Sequence, residues 1–166
     1  SLRTRAELKG DHYILNGSKT FVTNAPEADL MLVFATTDRA RKMWGITAFL
    51  IERGTKGLTI GAPIGKMGLR TSPMAELFLE DCEVPLENRL GRVGQGSAIF
   101  NHSMGWERSC ILATSVGAME RQLETCIRYA TERRQFEKSI GSFQLIASKI
   151  ADMKVRLETS RLLLYR

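Results

Sequence analysis

The segment Met104–Gln144, MGWERSCILATSVGAMERQLETCIRYATERRQFEKSIGSFQ, decides how the rest of the chain is read. It is free of proline, and after Gly105 its only glycine before Gly141 is Gly117. Leu112, Val116, Met119, Leu123, Cys126 and Ala130 recur at alternating four- and three-residue spacing, the apolar seam of a long helix packed against an antiparallel neighbour. Polar groups gather at its two ends, Glu107-Arg108 early and Arg133-Arg134-Gln135-Phe136 late. At 1.5 Å per residue these ends stand roughly 38 Å apart, too far for one compact ligand to touch both. Either the ends serve different purposes, or two copies of the chain build a shared site from opposite ends.

Ser139–Ser142 reads as a turn, with Ser142 the expected N-cap of a second helix. The seam of that helix is Ile146, Ile150, Met153, Leu157, Ser160 and Leu164, in the same four-three spacing. Two such helices make an antiparallel hairpin with apolar surface left over, to be covered by further helices or a second subunit. Upstream, the pattern changes to that of strands. His12–Asn16 and Lys19–Thr23 flank Asn16-Gly17, the strongest short hairpin signal. Leu30–Thr36 and Gly45–Glu52 are apolar enough to be strands covered on both faces, joined by the basic loop Thr37–Met43. Leu58–Ile60 and Ala75–Val84 supply the rest, and the N-terminal stretch from Ser1 is expected to form no element of its own. Short strands with turn signals and no intervening helices indicate an antiparallel barrel or sandwich. Gly91, Gly94 and Gly96 mark a boundary near residue 95. The expected fold is α+β: a β-barrel or sandwich over 1–95, then the start of an antiparallel helical bundle over 96–166.

With 43% apolar and 25% charged residues, the chain reads as soluble and globular, and it has no apolar run long enough to span a membrane. The opening Ser1-Leu2-Arg3-Thr4-Arg5 has no signal-peptide core. Three cysteines without CxxC spacing and two histidines argue against a zinc site or a disulfide frame, so the expected setting is a reducing cytoplasm. The net charge of +6 fits a solvated surface or attraction to a polyphosphate small molecule. Nucleic acid is disfavoured, because no basic run is interleaved with aromatics. The polar start, and a stop in mid-pattern at Leu162–Arg166, suggest a piece of something larger.

Six motifs in order carry a resemblance: Asn16-Gly17-x-Lys19-x-Phe21-x-Thr23-Asn24; Lys66-Met67-Gly68-Leu69-Arg70; Glu80-Asp81-x-x-Val84-Pro85-x-x-Asn88-x-x-Gly91; Glu107-Arg108; Arg133-x-Gln135-Phe136; and Phe143-Gln144. Together they resemble the acyl-CoA dehydrogenase family over essentially the whole chain, across its middle β-domain and the opening helices of its C-terminal domain. The resemblance implies non-covalent FAD and a homodimer or homotetramer. It also implies α,β-desaturation of an acyl thioester, with electrons passed to an electron-transfer acceptor. A carboxylate removes the α-proton while the β-hydrogen leaves as hydride. For this the thioester carbonyl must be polarised and the base desolvated.

By the same resemblance, Phe21 sets an aromatic ring against the flavin, where many members have Trp, and Thr23 sets a hydroxyl near it. Arg133, Gln135, Phe136 and Gln144 reach the FAD pyrophosphate of the neighbouring subunit. A guanidinium suits that task because its fixed donors pair two oxygens. Most members have Gly where this chain has Glu137. Glu107 falls where a minority of the family carries its catalytic base on this helix, just before an arginine; Arg108 then orders the acyl pocket. In most members the base lies in a C-terminal loop outside this sequence. The thioester carrier lies along Lys66–Ser72 and the basic Arg39-Ala40-Arg41-Lys42 loop, and either CoA or an acyl carrier protein meets that description. Rival readings are an acyl-carrier-protein dehydrogenase, a flavin oxidase or monooxygenase on the same scaffold, and, last, a non-catalytic scaffold. The segment alone is expected to be inert.

Overall fold

A computed structural model describes residues 2–166; Ser1 lies outside the described residues. The chain forms two compact units, one running to His102 and the other from Ser103 to Arg166.

The first unit is a single seven-stranded sheet. Its strands are β1 (Arg5–Lys9), β2 (His12–Thr23), β3 (Leu30–Thr36), β4 (Ile46–Glu52), β5 (Leu58–Ile60), β6 (Met74–Pro85) and β7 (Arg89–Leu90). They lie in the order β5-β6-β2-β1-β3-β4-β7. Pairing is antiparallel except for one parallel bridge, Arg5 to Thr36, between β1 and β3. The sheet is open, with β5 and β7 as its edges, so the closed barrel expected from the strand spacing does not form. Bulges bend the long strands β2 and β6 instead, and the bent sheet gathers Leu15, Val33, Phe49, Ile51, Leu77 and Leu79 into one core without closing the hydrogen-bond ring. Side chains of this kind, fully removed from water, stabilise by roughly 1.5–3 kcal/mol each.

The core face follows from strand parity. In β3, Met31, Val33 and Ala35 point inward while Leu30 and Leu32 stay exposed, so this strand is covered on one face and not on both. The N-terminal stretch, expected to be irregular, is strand β1, which turns at Gly10-Asp11 into β2. Asn16-Gly17 is accordingly not a hairpin: β2 runs straight through it. Opposite Asn16, β6 carries one extra residue, because Leu15 pairs with Cys82 while Gly17 pairs with Leu79. The bulge shifts the buried parity of β6 from Ala75, Leu77 and Leu79 to Cys82 and Val84. Asn16 closes it, its Nδ2 donating to Asp81 Oδ1 and its Oδ1 accepting from Asp81 N–H, both at 3.0 Å. Gly17 is required for a different reason. A Cβ there would lie 2.8 Å from Thr4 Cα, and its φ is +141°.

The helices are α1 (Gly96–Cys110), α2 (Ala113–Glu132) and α3 (Gln144–Tyr165). The long helix expected from the seam is thus broken at Ile111-Leu112. Ser109 Oγ donates back to Gly105 O at 2.9 Å just before the break, a bond that competes with the helical ladder and bends helices. In the second unit α2 and α3 pack antiparallel, as their seams require. Val116, Leu123 and Leu157 are buried, with Met119, Ile150, Met153 and Leu164 packed around them. Arg161 Nη2 joins α3 to Glu120 of α2 at 2.7 Å. This is a helical hairpin rather than a bundle, and Leu145, Val155, Leu162 and Leu163 of α3 stay exposed. Between the helices, β8 (Arg134–Gln135) and β9 (Lys138–Ser139) form a miniature hairpin that the helical reading of Arg133–Phe136 missed. Ser142 does not cap α3: it lies in a 3-10 turn with its hydroxyl on Ser139 Oγ at 3.0 Å, and Phe143 occupies the cap position without a side-chain bond.

Candidate functional site

Phe21 and Thr23 lie together at the end of β2. There a second bulge occurs, this time on β2 itself: Lys19 pairs with Leu77 and Val22 with Ala75, so Thr20 and Phe21 face the single residue Glu76. Thr20 Oγ1 donates to Glu76 Oε1 at 3.0 Å, and Phe21 adopts φ +57°. A bulky aromatic residue in the left-handed region is strained, and the bulge turns it outward, 67% exposed. Thr23 is also exposed.

The next residue fixes this strand end. Asn24, at φ +62°, donates its N–H to Pro73 O at 2.7 Å and accepts from Ser72 Oγ at 3.3 Å. Ser72 O in turn accepts from Lys66 Nζ, and Lys66 O accepts from Arg70 Nε at 3.0 Å. The fold therefore brings the Asn24 end of the first motif against the loop that carries Lys66–Arg70. Arg53 supports the same turn from behind, donating to the carbonyls of Ala25, Pro26 and Ala28 at 2.8–3.0 Å. Met67 and Leu69 at the tip of the 66–73 loop are almost fully exposed.

Lys19, two residues before Phe21, is a feature that sequence reasoning passed over. Its Nζ donates to Phe34 O at 2.7 Å, and burial pushes its pKa down to about 8. It lines an apolar cleft of about 570 Å³ with Val22, Leu32, Phe34 and Phe100. The signal for its burial was strand parity: Lys19 continues the alternation of Tyr13, Leu15 and Gly17 and pairs with the buried Leu77.

In the second unit, Glu107 and Arg108 lie near the end of α1, both exposed. Arg108 lines a hollow of about 350 Å³ with Leu112, Val116, Met119 and Leu163. Arg133, Gln135, Phe136 and Gln144 cluster at the other end of the unit, around the β8–β9 hairpin and the first residue of α3. The hairpin turn is Phe136-Glu137, with φ +51° and +65°, the two left-handed residues of a two-residue turn that normally takes Asn-Gly. A glycine at position 137 would adopt this backbone with less strain. Phe136 is 86% exposed and touches Phe143 edge-on at 6.2 Å between ring centres. Lys138 Nζ sits 4.5 Å above the Phe143 ring. Arg133 is exposed, and among the described residues its guanidinium makes no hydrogen bond or ion pair.

Chemically, the first unit offers a rigid aromatic platform beside a hydroxyl. The second offers an exposed carboxylate, Glu107, next in sequence to the guanidinium of Arg108 at one end, and a guanidinium, an amide and an exposed ring at the other. The cysteines add no obvious nucleophile: all three are free thiols, and burial, helped by Glu83, pushes Cys82 up to about 11. No helix among the described residues is long and apolar enough to cross a membrane.

Two family models match, the middle domain of acyl-CoA dehydrogenase over residues 1–82 and its C-terminal domain over residues 94–166. The chain is 47% identical, over all its length and 44% of the relative's, to an L-prolyl-[peptidyl-carrier protein] dehydrogenase of Pseudomonas fluorescens. Among solved structures it is similar to the prolyl acyl carrier protein oxidase AnaB, with 55% identity and TM-score 0.90 over 99% of this chain and 44% of that one. It is also similar to PigA solved with FAD and proline, with 45% identity and TM-score 0.90 over 99% of this chain and 43% of that one. The chain spans less than half the length of these relatives.

Proposed function

The chain belongs to the acyl-CoA dehydrogenase family, and on that premise we propose that the whole protein is an FAD-dependent oxidoreductase. It desaturates an acyl thioester between Cα and Cβ, and the acyl group is a prolyl unit held on a peptidyl carrier protein. The observation that carries the reading is the β2 bulge. It spends backbone strain to hold Phe21 outward beside Thr23, at a strand end braced by Asn24 and the 66–73 loop, and nothing in the described chain covers that ring. A ring and a hydroxyl presented this way fit a flat heterocycle. Likewise, Arg133, Gln135 and Phe136, exposed at a strained turn, fit the phosphates of the same cofactor, and Gln144 adds an amide.

Bound FAD supplies the acceptor for the β-hydrogen, which leaves as hydride. Glu107 takes the α-proton onto its carboxylate, and Arg108 beside it orders the acyl pocket. Phe21 would lie against the flavin ring, and the Thr23 hydroxyl would offer it a hydrogen bond. Arg133, with Gln135, Phe136 and Gln144, would hold the pyrophosphate of FAD bound by a second copy, and the working unit would then be at least a dimer. The domain division follows the change from strands to helices, 1–95 and 96–166, and further helices complete a bundle over the exposed face of α3.

The prolyl-carrier reading is supported by the names of the relatives, AnaB above all at 55% identity. The second reading, an acyl-CoA substrate, is favoured by the family models. Anaerobic mixing of the complete flavoprotein with prolyl-loaded carrier protein, and separately with butyryl-CoA, tests the choice. Bleaching of the flavin by the prolyl carrier alone is the expected result; bleaching by butyryl-CoA alone overturns it. Reoxidation by air on the turnover timescale would identify oxygen as the acceptor.

A further inference from the structure

We infer that the β3–β4 connection is the docking surface for the carrier protein, a partner presenting a carboxylate-rich face; this rests on the carrier-borne reading above. Arg39, Arg41, Lys42, Met43 and Trp44 are all exposed on this connection, Trp44 by 66%. Its one acid, Asp38, accepts from Ala40 N–H at 2.9 Å and so completes a local turn. Beside it lies a hollow of about 460 Å³ in which Arg3, Arg39 and Lys42 meet Leu2, Met43 and Ile46, with no carboxylate in its lining.

The connection is held in one shape. Thr37 donates to Gly45 O from its N–H at 2.8 Å and from its hydroxyl at 3.0 Å. Ser97 Oγ donates to Met43 O at 2.7 Å, and Lys42 sits at φ +52°. Cations arranged around an exposed Trp and Met on a preorganised loop match the composition of protein interfaces: the aromatic anchors, and the charges steer and orient. A solvated basic surface needs neither the tryptophan nor the bracing. Leu2, Met43 and Ile46 also wall the apolar cleft that Lys19 lines, so the cationic hollow and the apolar cleft share a wall.

The test compares the complete wild-type protein with R39E/R41E/K42E on one acyl group in three forms: carried by an acidic carrier protein, on CoA, and as the N-acetylcysteamine thioester, which has no phosphate. The expected result is a fall of about tenfold or more in kcat/KM for the carrier-borne form, with the other two changed less than about twofold. Wild-type kcat/KM on the carrier should fall with rising salt, and that dependence should flatten in the variant. FAD content and Tm check the fold; if the triple variant does not fold, R41E and the wild-type salt dependence decide by the same criteria. An equal loss on carrier and CoA assigns the cations to phosphate and overturns the inference. An unchanged carrier rate, or a wild-type rate indifferent to salt, overturns it while leaving the prolyl-carrier reading intact. Wild-type oxidation of the CoA form alone overturns both.

Discussion

Replacing Gly45 by alanine asks for room that the β3–β4 connection does not have. A Cβ built there lies 1.8 Å from the carbonyl oxygen of Asp38 and 2.8 Å from its carbon. Both obstacles are backbone, so no side chain can swing aside and the loop itself must move. Overpacking of this kind costs roughly 1–3 kcal/mol. The movement also pulls on the two bonds that Thr37 makes to Gly45 O, each worth about 1 kcal/mol net. The expected loss is about 2–4 kcal/mol, read as a lower urea midpoint at unchanged slope. Gly10→Ala is the matched control. Nothing lies within 4 Å of its added Cβ, and only its φ of +64° opposes the change. Left-handed backbone alone costs about 1–2 kcal/mol. If Gly45→Ala is no more destabilising than Gly10→Ala, the close approach of the loop to itself is wrong, and with it the claim that the basic side chains are held in place.

Lys19 gives a pH signature. Its folded pKa, about 8, lies below the 10.5 of a free lysine, so the unfolded chain binds the extra proton between those values and wild-type stability gains as pH rises through that window. Lys19→Met removes the gain: its stability advantage over wild type, measured by denaturant unfolding, should shrink from pH 8 to 10.5, and a difference constant with pH would contradict the burial. Arg133→Ala in the complete protein should weaken FAD by about tenfold or more without lowering Tm of the apo-protein, since this guanidinium supports nothing within the described chain. Fluorescence titration reads it, and an unchanged Kd removes Arg133 from the clamp.

The strands β3 to β6 and the two seams of α2 and α3 were legible because hydrophobic period reports burial directly. Val116, Leu123 and Leu157 are buried where the four-three spacing put them. Two of the failures share a cause, since they involve residues whose local preference is spent on a long-range partner. Asn16-Gly17 has hairpin chemistry, but Asn16 bonds Asp81, far along the chain, and Gly17 makes way for Thr4. The strain at Phe21 was hidden for the same reason, because a bulge exists only relative to the strand beside it. Phe136-Glu137 lacks every turn signal and turns nonetheless. The break between α1 and α2 was equally silent: no proline or glycine stands at Cys110–Ala113, and only a serine back-bond marks it. The residue types of the candidate site were readable through the family resemblance, whereas the strain that holds Phe21 and Phe136 outward was not.

In the proposed reaction a carboxylate of this segment takes the proton that starts it. Glu107→Gln in the complete protein, mixed without oxygen with prolyl-loaded carrier protein, tests that directly. The flavin should stay bound with its oxidised spectrum, and its bleaching should slow by about 100-fold to 10,000-fold, the contribution of a lost general base. Bleaching at the wild-type rate would move the base elsewhere in the protein and leave Glu107 as an ordinary exposed helix residue.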